Sequence, residues 1–196
     1  MITLTNKELF FEAYNRNITR EGSDKLLAWL DKTDFFTAPA STKYHSAVEG
    51  GLCEHSLNVY KAIMKRYSGE HSDETLTIVS LLHDLCKAEF YKTQLRNVKN
   101  EQTGSWEKVA YYTIEDKFPF GHGEKSVFLI ERFMRLTIEE AIAIRWHMGG
   151  FDESARAGGY TVSNAYEKYP LAVKLHIADI EATYLMEESA KSGNNK

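Results

Sequence analysis

A chain of 196 residues, 43% hydrophobic and 27% charged, has room for a buried core and the balance of an ordinary globular protein. Its formal charge of −4 gives no broad attraction to nucleic acid or to an anionic membrane, although a local basic pocket stays open. Cys53 and Cys86 are too few for a disulfide scaffold, no apolar run reaches the roughly 18 residues of a membrane span, and the polar start MITLTNKELF is unlike a secretory signal. The expectation is a cytoplasmic protein with no membrane partner.

Three prolines and long stretches of 3.6-residue periodicity predict an all-α chain. Thr5-Asn6-Lys7-Glu8 reads as a capping box ahead of Leu9, Phe10 and Ala13. A second helix from about Ser23 puts Leu26, Leu27 and Leu30 on one face. TAPASTKYHSAVEGG has the composition of a loop. After Gly50-Gly51, LCEHSLNVYKAIMKRY is helical through Leu52, Val59, Ile63 and Tyr67. ETLTIVSLLHDLCKAEFY predicts the next helix, apolar almost throughout up to His83 and therefore central. The pattern then changes: polar turn residues around Thr103-Gly104, between runs rich in Thr, Val, Tyr and Trp, predict a β-hairpin at about 91–116. GEKSVFLIERFMRL returns to helix. A capping box, Thr137-Ile138-Glu139-Glu140, opens EEAIAIRWHM, which ends at Gly149-Gly150. FDESARAGGYTVSNAYEKY reads as a loop, and Pro170 starts a last helix, LAVKLHIADIEATYLMEES, before a frayed tail. No repeat or linker divides the chain. The expectation is one domain over 1–196, with N-terminal helices at about 5–32 packed on a core of 44–188.

Ionisable side chains are costly inside apolar helices unless they are paired or bound to metal. Five places depart from that pattern: His55 in CEHSLNVY, His83-Asp84 in SLLHDLCK, His122 in FPFGHGEKS, His147 in AIRWHMGG and Asp179 in LHIADIEA. Any one alone reads more readily as a satisfied core, boundary or salt-bridged residue than as a ligand. Together, four imidazoles and two carboxylates form the inventory of a two-metal site between helices. The expected cofactor is two divalent transition-metal ions, Mn, Fe, Ni, Co or Zn. Asp84 is the natural bridge between them.

GGLCEHS, then LLHDLCK, then His122, His147 and Asp179, in that order across roughly 44–188, resembles the HD-domain superfamily of metal-dependent phosphohydrolases. The resemblance implies an HD-domain helical bundle with a small β-hairpin insertion. It implies His55, His83, Asp84 and Asp179 as ligands shared by one-metal and two-metal members, and His122 and His147 as the pair that two-metal members add. YHSAVEGGLCEHSLNV is similar to the HD modules of bacterial exoribonucleases and conjugative relaxases. The spacing of the late ligands is similar to that of myo-inositol oxygenase, a di-iron oxygenase. Lys87 lies four residues after His83, on the same side if the helix continues; a lysine at this position often meets a phosphate in HD proteins, so the resemblance implies that Lys87 joins Asp84 in catalysis. A solvated helix-end lysine is the plain alternative.

Three further residues are expected at the substrate. Lys125, at a helix start where a cation opposes the dipole, invites anion binding. His45, with Tyr44, would line the mouth of the site as a proton donor, or belong to a surface loop. Tyr112, with Trp106 and Tyr111, would make the hairpin a lid or wall offering a ring to a base; a hairpin packed on the helices is the alternative. Gly50-Gly51 admit a phosphate or make a tight turn. Arg145 reads as a salt-bridge residue, Cys53 and Cys86 as packing, His71 as a loop residue, and His176 as core or support for the site.

The expected function is a metal-dependent phosphohydrolase cleaving a phosphate ester of a nucleotide or related small molecule. One alternative is a phosphodiesterase or 3′–5′ exonuclease on short single-stranded nucleic acid, which the lack of a basic stripe disfavours. A di-iron oxygenase and a regulatory module with a vestigial metal site are the others. Oligomeric state stays open.

Overall fold

A computed structural model describes residues 3–43 and 46–187. Among these, nine α-helices surround one core, and a single antiparallel hairpin interrupts them. The helices are α1 (Asn6–Asn17), α2 (Ser23–Leu30), α3 (Gly51–Tyr67), α4 (Asp73–Leu82), α5 (His122–Glu131), α6 (Ile138–Trp146), α7 (Glu153–Arg156), α8 (Thr161–Lys168) and α9 (Pro170–Glu181). Strands β1 (Tyr91–Lys99) and β2 (Trp106–Ile114) follow α4. Both expected capping boxes form, at Thr5/Glu8 and Thr137/Glu140. No helix of the described residues is long and apolar enough to cross a membrane.

α3 packs on α1, α4 and α9, while α6 packs on α4, α5 and α9. α4 and α6 lie side by side and point the same way. At their N-terminal ends, Thr75 Oγ1 donates to Glu140 Oε1 at 2.9 Å. Arg20 grips the same buried carboxylate, at 2.6 Å from NH1 and 3.0 Å from NH2, and also pairs with Glu74. At their C-terminal ends the rings of His83 and His147 stand 4.9 Å apart. A buried charge cluster at one end of this helix pair thus fixes the register of two histidines at the other.

Three sequence expectations need correction. The helix expected through Tyr91 stops at Leu82; Asp84 leaves helical geometry at φ −100°, ψ 22°, and a 3₁₀ turn, Leu85–Lys87, leads toward β1. His83 Nδ1 donates to the Ser80 carbonyl at 2.8 Å, the group a continuing helix would offer to the Asp84 amide. The segment read as a loop before Pro170 holds α7 and α8. Asp152 caps α7 by accepting from the Ser154 amide at 2.8 Å, and Tyr166 on α8 packs against the core. The last helix is regular only to Glu181 and then widens into a π turn, Ala182–Met186. Its expected continuation past Glu187, and Tyr44 and His45, lie outside the described residues.

Gly50-Gly51 make a tight entry to α3. Gly50 sits at φ 75°, and a Cβ on Gly51 would come within 2.0 Å of the Ser46 carbonyl oxygen. The hairpin pairs Tyr91 with Ile114 through to Lys99 with Trp106. Most of its residues are exposed on both faces, so it neither packs broadly on the helices nor covers the core.

Candidate metal centre

The six expected ligands converge. His55 is the fifth residue of α3, His83 and His147 directly follow α4 and α6, His122 opens α5, and Asp179 lies near the end of α9. Three overlapping groups each place ligand atoms within 4.8 Å of one another: His55, His83 and Asp84; His83, His147 and Asp179; Asp84, His122 and His147. One ion with ligand bonds of about 2.1 Å can span such a group.

Asp84 divides the cluster. Its Oδ1 faces His122 Nε2 at 2.8 Å and His147 Nε2 at 3.5 Å. Its Oδ2 faces His83 Nε2 at 3.5 Å, His55 Nε2 at 3.6 Å and the Lys87 ammonium at 2.7 Å. Asp179 Oδ1 closes the other side, 3.2 Å from His55 Nε2. All four imidazoles therefore turn Nε2 inward.

The outer nitrogens explain why. His83 Nδ1 and His147 Nδ1 donate to the carbonyls of Ser80 and Ile144, at 2.8 and 2.7 Å. A carbonyl only accepts, so each ring carries a proton on its outer nitrogen and turns Nε2 toward the cluster. His55 Nδ1 donates to Glu187 Oε1 at 2.8 Å, and Ser46 Oγ donates to Glu187 Oε2 at 2.8 Å. His122 Nδ1 lies 3.4 Å from Cys86 Sγ. Such outer partners hold metal-binding histidines in one tautomer and orientation.

This donor set fits cations. His147 Nε2 is buried with no hydrogen-bond partner among the described residues, 3.5 Å from Asp84 Oδ1; burial works against its charge, but the Asp84 carboxylate outweighs this and raises its pKa, so the nitrogen faces a place that favours a proton or a cation. His55 Nε2 and His83 Nε2 meet at 3.2 Å, which also calls for a positive charge between or on them. Asp84, Asp179 and Glu187 bring three carboxylates to the site, and among the described residues Lys87 is the lysine or arginine that pairs with one of them. In the metal-free state His55 adds to the balance. Burial works against its charge, but the bonds to Asp179 and Glu187 outweigh this and raise its pKa to about 10. Burial would also raise Asp84, yet the Lys87 ammonium and the adjacent imidazoles hold it well below the usual carboxylate range. Asp179 is depressed in the same way by His55. His122, lowered by burial, stays neutral. The α4 and α6 C-termini, with their partial negative charge, also converge here.

A cavity of about 830 Å³ opens over the cluster, lined at its floor by His55, Asp84, His122 and Asp179. Lys87 lines it too, from the end of the 3₁₀ turn and not from a continuing α-helix; it pairs with Asp84, which raises the ammonium above the ordinary lysine range despite burial. The other expected substrate residues stand elsewhere. Lys125 is buried outside this cavity, bonded to Asp116 at 2.7 Å and lying over Phe90, so its charge is already matched. Tyr112 lies farther along the hairpin, paired with Thr93, and only Tyr91 and Ile114 at the hairpin base reach the cavity wall. His45 is outside the described residues. Arg145 is a salt-bridge residue, to Glu124 and Asp152. His176 supports the site by bonding the His147 carbonyl.

Sequence reasoning missed Glu187, whose carboxylate reaches His55 only because the π turn redirects the chain, and Cys86, which it read as packing alone. It also missed Tyr91, whose hydroxyl burial pushes up to about 12 and which bonds the Ala40 carbonyl. No family model, no curated protein and no solved structure matches the chain. The geometry alone therefore identifies what the molecule carries: a buried His/Asp cluster, in a mostly helical fold, able to hold metal.

Proposed function

We propose that the protein is an HD-type metal-dependent phosphohydrolase with a two-ion site, acting on a phosphate ester of a nucleotide or a related small molecule. The observation that carries this reading is the division of Asp84, one oxygen toward His122 and His147 and the other toward His55 and His83. That is the arrangement a carboxylate needs to serve two cations at once. Divalent ions held there supply water ionised near neutral pH and offset the charge of a phosphoryl group.

The chain's own residues do the rest. His55, His83, His147 and Asp179 orient the floor of the cavity, each fixed by a bond on its outer side or by burial. Lys87 holds Asp84 ionised and adds positive charge beside the place where a phosphoryl oxygen would sit. Phe90, Tyr91, Phe151 and Tyr184 give the cavity an apolar wall suited to an organic leaving group. A cavity of about 830 Å³ suits a small substrate better than a long nucleic-acid strand.

The test is phosphate release from a panel of phosphomonoesters, cyclic nucleotides and short oligonucleotides, with Mn, Co, Ni, Mg and Fe added separately. The reading expects metal-dependent release that Asp84→Ala abolishes. Oxygen consumption by iron-loaded protein, with no phosphate released from any ester, would overturn it in favour of oxygenase chemistry.

A further inference from the structure

Among the described residues, one lysine and one arginine line the cavity, Lys87 and Arg156. Lys87 is matched by Asp84 at 2.7 Å. Arg156 ends α7 with its side chain exposed to the cavity and to solvent, and no carboxylate meets it among the described residues. The contrast with its own kind is sharp. Of eight arginines, five hold a carboxylate, two more lie over an aromatic ring, and Arg156 does neither.

Nor is Arg156 on a loose arm. A four-residue helix does not hold itself together, but α7 is anchored. Asp152 caps it and accepts from Arg145 NH1 at 2.9 Å, while Arg145 NH2 reaches Ser154 Oγ at 3.2 Å. The same Arg145 pairs with Glu124 on α5, two residues beyond His122. One arginine therefore ties the turn that presents Arg156 to the helix that presents a ligand. Met148 and Phe151, just before α7, continue the apolar wall beside it.

We propose that Arg156 binds a second anionic group of the substrate, remote from the bond that is cleaved. The preferred substrate is then a phosphate ester that also carries a further phosphate or carboxylate, with an organic body against the apolar wall. A guanidinium suits this task, since it pairs bidentately with either group and stays charged at any working pH. Which group is cleaved rests on the phosphohydrolase reading; the binding of the second group does not.

The experiment compares wild type, Arg156→Ala and Arg156→Lys on p-nitrophenyl phosphate, adenosine 5′-monophosphate and adenosine 3′,5′-bisphosphate. Arg156→Ala is expected to raise KM for the bisphosphate about 10- to 100-fold with little change in kcat, the loss of one charge-assisted contact. Arg156→Lys should recover part of it, and the two single-phosphate esters should change little. Equal loss on all three, or no loss on the bisphosphate, overturns the proposal. If no ester is turned over, the phosphohydrolase reading fails, and the two nucleotides are titrated by calorimetry into chelator-treated protein. Tighter bisphosphate binding that Arg156→Ala removes upholds the second anion site by itself. Binding that is absent, or equal in both proteins, overturns it.

Discussion

The four imidazoles of the cluster are aimed in two different ways. His83 and His147 each follow the last residue of a helix and bond the carbonyl three residues back, so α4 and α6 orient their own ligands. His55, the fifth residue of α3, and His122, the first of α5, are instead held by Glu187 and Cys86 from distant parts of the chain. Locally aimed ligands resist side-chain substitution, because a backbone carbonyl is present whatever the residue. Ligands aimed by tertiary contacts depend on one side chain each.

The largest effect should come from the residue that both pairs share. Asp84→Ala removes the group that faces all four imidazoles and strands the largely buried Lys87 ammonium. A loss of about 3–5 kcal/mol in the metal-free protein is expected from denaturant unfolding. Unchanged stability would mean that Asp84 is not the hub.

Next comes the contrast between the two modes of aiming. Glu187→Gln should weaken metal binding about 10- to 100-fold, measured by competition with a chelating dye. Ser80→Ala, which keeps the carbonyl that orients His83, should leave affinity in place. Equal effects of the two would erase the distinction.

A smaller signature lies in pH. In metal-free protein the His55 pKa, raised from 6.5 to about 10, stabilises the fold fully below about pH 6.5, and this contribution is lost as pH rises through about 10. Melting temperature of chelator-treated protein should fall across that window. Metal affinity should rise across it, because binding must displace the same proton. A flat melting profile would show that His55 is neutral and that Glu187 does not hold it charged. Smallest of all, Tyr112→Ala should leave turnover and substrate preference unchanged, since its ring does not line the cavity.

Much of this was legible in the residues. The two Thr-to-Glu capping boxes, the Leu26, Leu27 and Leu30 face, the turn at Thr103-Gly104 and Pro170 are local signals, and each forms as read. The six cluster residues stood out because each is ionisable in an apolar setting. What stayed hidden depends on three dimensions. The break after Leu82 arises from a side chain competing for a backbone carbonyl, in a segment whose apolar pattern continues unbroken. Two short helices hid behind Gly158-Gly159 and the polar residues around them. Lys125 looked unmatched only because Asp116, nine residues earlier, lies across the end of the hairpin. Glu187 resembled any acidic residue near a helix end.

The central claim is that this cluster binds metal, and the metal content of the wild-type protein tests it most directly. Protein purified without oxygen, loaded in turn with Mn, Fe, Co, Ni and Zn, and dialysed would be assayed by inductively coupled plasma mass spectrometry. The account predicts at least one ion retained per chain, lost when Asp84 is replaced by Ala. Wild-type protein that retains none of the five metals would contradict it.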